Sequence, residues 1–134
     1  TNPNVQVIGV EPTGAASLLH SVNAGHVEPL PQVVTIAETL APRSVSTRTL
    51  ELAQQYVDRI VLVDDGAMID SMRWLWQHYN QLVEPSGVAV IAALPQLDLS
   101  AYRCPVALIC GGNAAADSVF DTYTEAARKK GSLA

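Results

Sequence analysis

The chain has 134 residues, 49% of them hydrophobic and 16% charged, with a formal net charge of −5. That length suits one domain with a filled core, and the composition excludes a disordered chain. The basic residues form no stripe that could neutralise phosphates, so nucleic acid is not expected as a partner. No apolar run nears the roughly 20 residues of a membrane span, and no charged-then-apolar leader opens the chain. The opening TNPN runs straight into an apolar stretch, the pattern expected of a piece of a longer or processed chain. Cys104 and Cys110 belong to no CxxC pair and have no histidines at metal-ligand spacing. They are expected to be reduced thiols of a cytoplasmic protein rather than zinc ligands.

In chain order, Val5–Val10 is β-branched and reads as a buried strand, broken by Glu11-Pro12-Thr13-Gly14. Ala15–Ala24 reads as a helix with Ala15, Leu18, Leu19 and Val22 on one face, closed by Gly25. Residues 26–44 hold Pro29, Pro31 and Pro42 and form a long excursion with a short turn at Ile36–Leu40. Such loops inside compact domains are often functional. Ser46 or Thr47 caps a helix that buries Leu50, Ala53 and Val57.

Arg59–Val63 is the second strand. Asp64 and Asp65 lead into a helix whose stripe is Met68, Met72, Leu75, Tyr79 and Leu82. Pro85–Leu94 contains no charge, and Pro85 suits a first helical turn. Val106–Cys110 reads as a third strand, and Asp117–Lys130 as a closing helix with acids early and Arg128, Lys129 and Lys130 late.

Alternating strands and helices predict an α/β fold, a three-layer sandwich with a mainly parallel sheet, spanning residues 1–134 as one segment. Three strands make a small sheet, and a helix apolar all round must be covered on every side. The segment is therefore expected to pack against more protein.

Ligands of open α/β sheets bind at the carboxyl ends of strands. Those ends carry Glu11-Pro12-Thr13-Gly14, Asp64-Asp65-Gly66 and Cys110-Gly111-Gly112-Asn113, with Val83-Glu84-Pro85-Ser86-Gly87 at a helix junction. From the residues alone, Cys110 and its glycines are either a tight turn beside a small core thiol or a ligand site. Glu84 is either a helix N-terminal carboxylate or part of that site. Gly111-Gly112 without GxGxxG or a P-loop lysine is weak support for a nucleotide. His20, His26 and His78 share no spacing and are expected at the surface.

Four stretches, VIGVEPTGAASLL, VDRIVLVDDGAMIDSMRWLW, LVEPSGVAVIAAL and VALICGGNAA, follow one another in an order that resembles the threonine/serine dehydratases. These are pyridoxal-phosphate enzymes of the tryptophan-synthase-β fold (fold type II), a group that includes serine racemase. The resemblance spans residues 5–115 and matches the carboxyl-terminal part of the large catalytic domain. It implies pyridoxal 5'-phosphate as cofactor, with Cys110 facing the pyridine nitrogen, Gly111 and Gly112 beside the ring edge, and Glu84 near the ring. A thiol is a weak donor and no proton source, which gives a mild electron sink suited to β-elimination.

The resemblance also places Glu11, the carbonyl of Ala15, and Ser17 where some relatives hold a divalent cation. Ser17 stands there in place of an acid, and a hard cation prefers charged oxygens. Ala37-Glu38-Thr39 replaces the family's Ala-Asp-Gly. The only lysines, Lys129 and Lys130, do not match the lysine that carries the cofactor, so no catalytic residue is assigned in this chain.

The implied activity is that of an ammonia-lyase. It would convert a β-hydroxy amino acid to a 2-oxo acid and ammonia, with this chain inactive alone. The implied partners are the remainder of the enzyme, the amino-acid substrate and a second copy in a homodimer. The alternative is a non-catalytic α/β module that binds a small ligand or partner through its CysGlyGlyAsn end.

Overall fold

The computed structural model describes residues 4–112. The sequence readings of Asn113, of the helix Asp117–Lys130 and of its two lysines lie outside the described residues. Strand β1 (Ile8–Pro12) pairs in parallel with β2 (Arg59–Val63), in register from Ile8 opposite Arg59 to Pro12 opposite Val63. Four helices surround this pair: α1 (Ser17–Ala24), α2 (Thr47–Tyr56), α3 (Asp65–Tyr79) and α4 (Pro85–Ala93).

Alternation along the strands sends Ile8, Val10, Val61 and Val63 to one face, where they meet Met68, Met72 and Leu75 of α3 and Val88, Ala89, Ala92 and Ala93 of α4. Glu11, on the opposite face, reaches α1 instead: its carboxylate accepts the Leu18 and Leu19 N–H groups. Helices thus lie on both faces of a parallel sheet, in the α/β class expected. Met68 is fully buried at the centre of the core. Met68→Ala is expected to destabilise the chain by about 2–5 kcal/mol, read as a lowered urea midpoint.

The helix boundaries follow from local chemistry. Ser46 caps α2 by accepting the Thr49 N–H at 3.0 Å, and Leu50 and Ala53 are buried as expected, whereas Val57 lies past the last turn in extended backbone and is only half-buried. Asp64 caps α3 through the Ala67 N–H at 2.7 Å. Gly25 ends α1 in the left-handed region, as its position just past the helix suggests.

Four readings are corrected. β1 begins at Ile8 rather than Val5, because the ladder with β2 ends at a clasp between Val7 and Asp58. The buried face of α1 is Ser17 and Ser21 rather than Leu18, Leu19 and Val22, which are half-buried. The Ser21 hydroxyl makes that burial possible by donating to the Ser17 carbonyl at 2.8 Å and accepting the Glu28 N–H at 3.1 Å.

The stripe of α3 stops at Leu75. Asn80 turns into the left-handed region and ends the helix, which leaves Tyr79 58% exposed and Leu82 beyond it. Finally, Val106–Cys110 is not a strand among the described residues, where the sheet has only β1 and β2. A strand needs a neighbour's ladder, and this segment finds none: Val106 is 85% and Leu108 75% exposed.

The excursion between α1 and α2 is sewn down rather than loose. Val34 donates to the Gly14 carbonyl, and Leu30 donates to the Arg43 carbonyl. The Arg43 guanidinium returns to the carbonyls of Leu30 and Pro31. The turn expected at Ile36–Leu40 forms as a short 3-10 segment, Glu38–Leu40, with Ala37 buried in the core.

Candidate functional site

Three of the acidic groups expected at strand ends have structural partners. Both oxygens of Glu11 accept backbone N–H groups of Leu18 and Leu19 at 2.9 Å, so the carboxylate sits on the positive end of α1. Ala15 and Ser17, grouped with Glu11 for a cation, are fully buried at the same helix start, and the Ser17 hydroxyl has no hydrogen-bond partner among the described residues. Among those residues, no three side chains of His, Cys, Asp or Glu gather as a metal would require.

Asp64 is the cap of α3. Asp65 clamps the excursion: Thr35 donates its hydroxyl to one carboxylate oxygen at 2.6 Å, and the Ile36 N–H reaches the other at 3.2 Å. The sequence pattern does not show this clamp, because its two ends lie 30 residues apart.

The fourth motif is built differently. Pro85 starts α4 in the place where a missing N–H costs nothing, which puts Glu84 just outside the helix with its side chain free of capping. Glu84 donates its backbone N–H to the Gly111 carbonyl at 3.1 Å. That bond, and the close approach of Gly87 to the Cys110 carbonyl, fasten residues 110–111 onto the start of α4. Gly111 has φ of 88°, and a Cβ there would fall on the Glu84 carboxylate. At Gly112 no described residue comes within 4 Å of where a Cβ would stand. Cys110 is an exposed free thiol.

The structure therefore brings Glu84, Cys110, Gly111 and Gly112 into one corner, while Glu11, Ala15 and Ser17 stay at the start of α1. Thr39 adds a group to that corner by donating its hydroxyl to Glu84 Oε1 at 3.4 Å. Only the replacement of a hydrogen by a side chain at position 39 drew attention to it in the sequence. His20, His26 and His78 are exposed, as expected. No helix among the described residues is long and apolar enough to cross a membrane.

Residues 1–111 match the family described as pyridoxal-phosphate dependent enzyme. The chain belongs to that family. Over 92 residues it is 35% identical to the biosynthetic L-threonine dehydratase of Escherichia coli (strain K12), covering 69% of this chain and 18% of that enzyme.

Two solved structures share the fold. A threonine deaminase, its source abbreviated T.th., superposes with a TM-score of 0.75 at 32% identity, covering 84% of this chain and 42% of that one. Maize serine racemase superposes with a TM-score of 0.79 at 26% identity, covering 96% and 41%. The chain thus spans less than half the length of these relatives.

The residues present fit the family's cofactor. Gly112 opens on space that no described residue fills, Cys110 is an exposed thiol, and Glu84 is bonded through its N–H to the carbonyl of Gly111 between them.

Proposed function

We propose that this chain is the carboxyl-terminal part of the large catalytic domain of a pyridoxal-phosphate-dependent ammonia-lyase acting on a small β-hydroxy amino acid such as threonine or serine. The observation that carries the reading is the corner in which Cys110, Gly111 and Gly112 are fastened against Glu84. Pyridoxal phosphate, when bound, supplies the electron sink that lets an amino acid lose its α-proton and expel its β-hydroxyl as water.

Cys110 would hold the ring at its nitrogen through a weak S–H donor, which transfers no proton and keeps the sink mild. Gly111 and Gly112 would let the backbone lie against the ring edge where a side chain would intrude. Glu84 would place a carboxylate at that edge, oriented by its bonds within the corner. The lysine that carries the cofactor, the phosphate-binding loop and the substrate loop belong to the rest of the enzyme, so the chain alone is inactive. A divalent cation at Glu11, the Ala15 carbonyl and Ser17 would have Ser17's unpartnered hydroxyl in its favour and would have to compete with the Leu18 and Leu19 N–H groups for the Glu11 carboxylate. A homodimer and a cytoplasmic location complete the reading, the latter supported by two free cysteines.

The test uses the complete polypeptide that carries this sequence, purified with pyridoxal phosphate and offered L-threonine or L-serine. A 2-oxo acid and ammonia in equal amounts are expected. Gly112→Ala is expected to leave the unfolding midpoint unchanged while weakening cofactor retention, because its Cβ enters only the open space. Full cofactor retention in that variant would remove the ring from this corner.

A further inference from the structure

The Glu84 carboxylate is approached from two sides. Gly111 lies against it with no Cβ between, and the Thr39 hydroxyl donates to its Oε1 at 3.4 Å. Thr39 sits in the 3-10 segment Glu38–Leu40, where the Leu40 N–H bonds the Ala37 carbonyl and the Ala41 N–H bonds the Glu38 carbonyl. That segment is anchored from below by Ala37, which is fully buried. It is also anchored from behind: the Thr35 hydroxyl accepts the Ala37 N–H at 3.1 Å while donating to Asp65 at 2.6 Å, and Ile36 is bonded to the same carboxylate. A run of fixed contacts leads from the first turn of α3 to a single exposed hydroxyl, and that hydroxyl's partner is Glu84.

We infer that Thr39 is a positioning residue for Glu84, holding its carboxylate over Gly111 by a directed hydrogen bond from a rigid segment. The inference rests on the cofactor-site reading only for its catalytic consequence; the positioning itself is a property of this chain. The contact is long for an O–H···O bond and exposed, so it adds little to folding; its effect is on orientation, where it acts together with Gly111 on the other side of the carboxylate. Without it, Glu84 would still be attached through its backbone to Gly111, but its carboxylate would rotate freely toward solvent. In the enzyme, a wandering carboxylate beside a cofactor lowers turnover more than it weakens substrate binding, because orientation acts on the reacting complex.

The experiment is side-chain NMR on the complete polypeptide that carries this chain, comparing wild type with Thr39→Val and Thr39→Ser, beside urea unfolding of each. Wild type should show the unequal Glu84 Hα–Hβ couplings of a single rotamer. Thr39→Val, equal in shape but without the donor, should collapse them to averaged values with no change in unfolding midpoint. Thr39→Ser should restore the unequal values. A Thr39→Val chain that keeps one Glu84 rotamer would overturn the inference. So would a Thr39→Ser chain that fails to restore it, since the methyl and not the hydroxyl would then be responsible. These readings hold whether or not the complete enzyme takes up pyridoxal phosphate, so a failed cofactor site and a failed positioning role are separately visible. In an enzyme that does take it up, Thr39→Val should lower kcat with little change in KM.

Discussion

Gly111→Ala is expected to leave a folded chain and a ruined corner. At φ of 88° an alanine is disfavoured by about 1–2 kcal/mol, and its Cβ falls on the Glu84 carboxylate with Cγ and Cδ at 2.8 Å. The obstacle is a side chain and can swing away, so the fold survives with a modestly lowered midpoint. The carboxylate cannot stay where Thr39 holds it. In the complete enzyme a misplacement of this size corresponds to roughly a hundredfold loss of turnover. Amide spectra should show changes confined to residues around 39, 84 and 111. A Gly111→Ala enzyme with wild-type turnover would mean that Glu84's position over Gly111 has no part in the chemistry.

Gly87→Ala is expected to act on folding instead. A Cβ on Gly87 would collide with the Cys110 carbonyl, which is backbone, and stand 2.7 Å from Val83 Cγ1. Backbone cannot rotate out of the way, and Gly87 is buried in the first turn of α4 beside Val88 and Ala89 of the core. Relief requires residues 110–111 to lift off the helix, which breaks the bond from Glu84 to the Gly111 carbonyl. Overpacking of this kind costs about 1–3 kcal/mol, visible as a drop in urea midpoint. The amide resonances of residues 110 and 111 should also shift once their segment detaches, because the Gly111 carbonyl loses its bond from Glu84. An unchanged midpoint with unchanged amide resonances at residues 110 and 111 would show that the α4 junction does not hold the CysGlyGly segment.

The two variants separate the roles of the two glycines. Gly111 accommodates the Glu84 carboxylate, and Gly87 lets a loop cross a helix. Both are glycines in short motifs of similar look, and only the identity of the neighbour, side chain or backbone, distinguishes them.

Local chemistry written into neighbouring residues determined most of the elements. Ser46 and Asp64 precede apolar periodicity and cap their helices, Pro85 opens α4, and Gly25 ends α1, because each acts within a few residues of itself. The α/β class also follows from local pattern, since β-branched runs alternating with helices supply the crossovers that parallel pairing needs, and β1 and β2 do pair in parallel. The cofactor family was legible because four contiguous stretches, from VIGVEPTGAASLL to VALICGGNAA, follow one another in the family's order.

Tertiary structure decided what depends on partners distant in the chain. Asp65 belongs to the excursion because Thr35 and Ile36 come to it, and Glu11 serves α1 because β1 delivers it there. Val106–Cys110, apolar enough for a buried strand, runs exposed because a ladder needs a second strand beside it, and pattern alone cannot say whether one is present. Thr39 meets Glu84 across 45 positions of sequence, and no spacing rule reaches that far. Periodicity reports which side chains avoid water, while the pairing of polar groups is settled only when the core sets their distances.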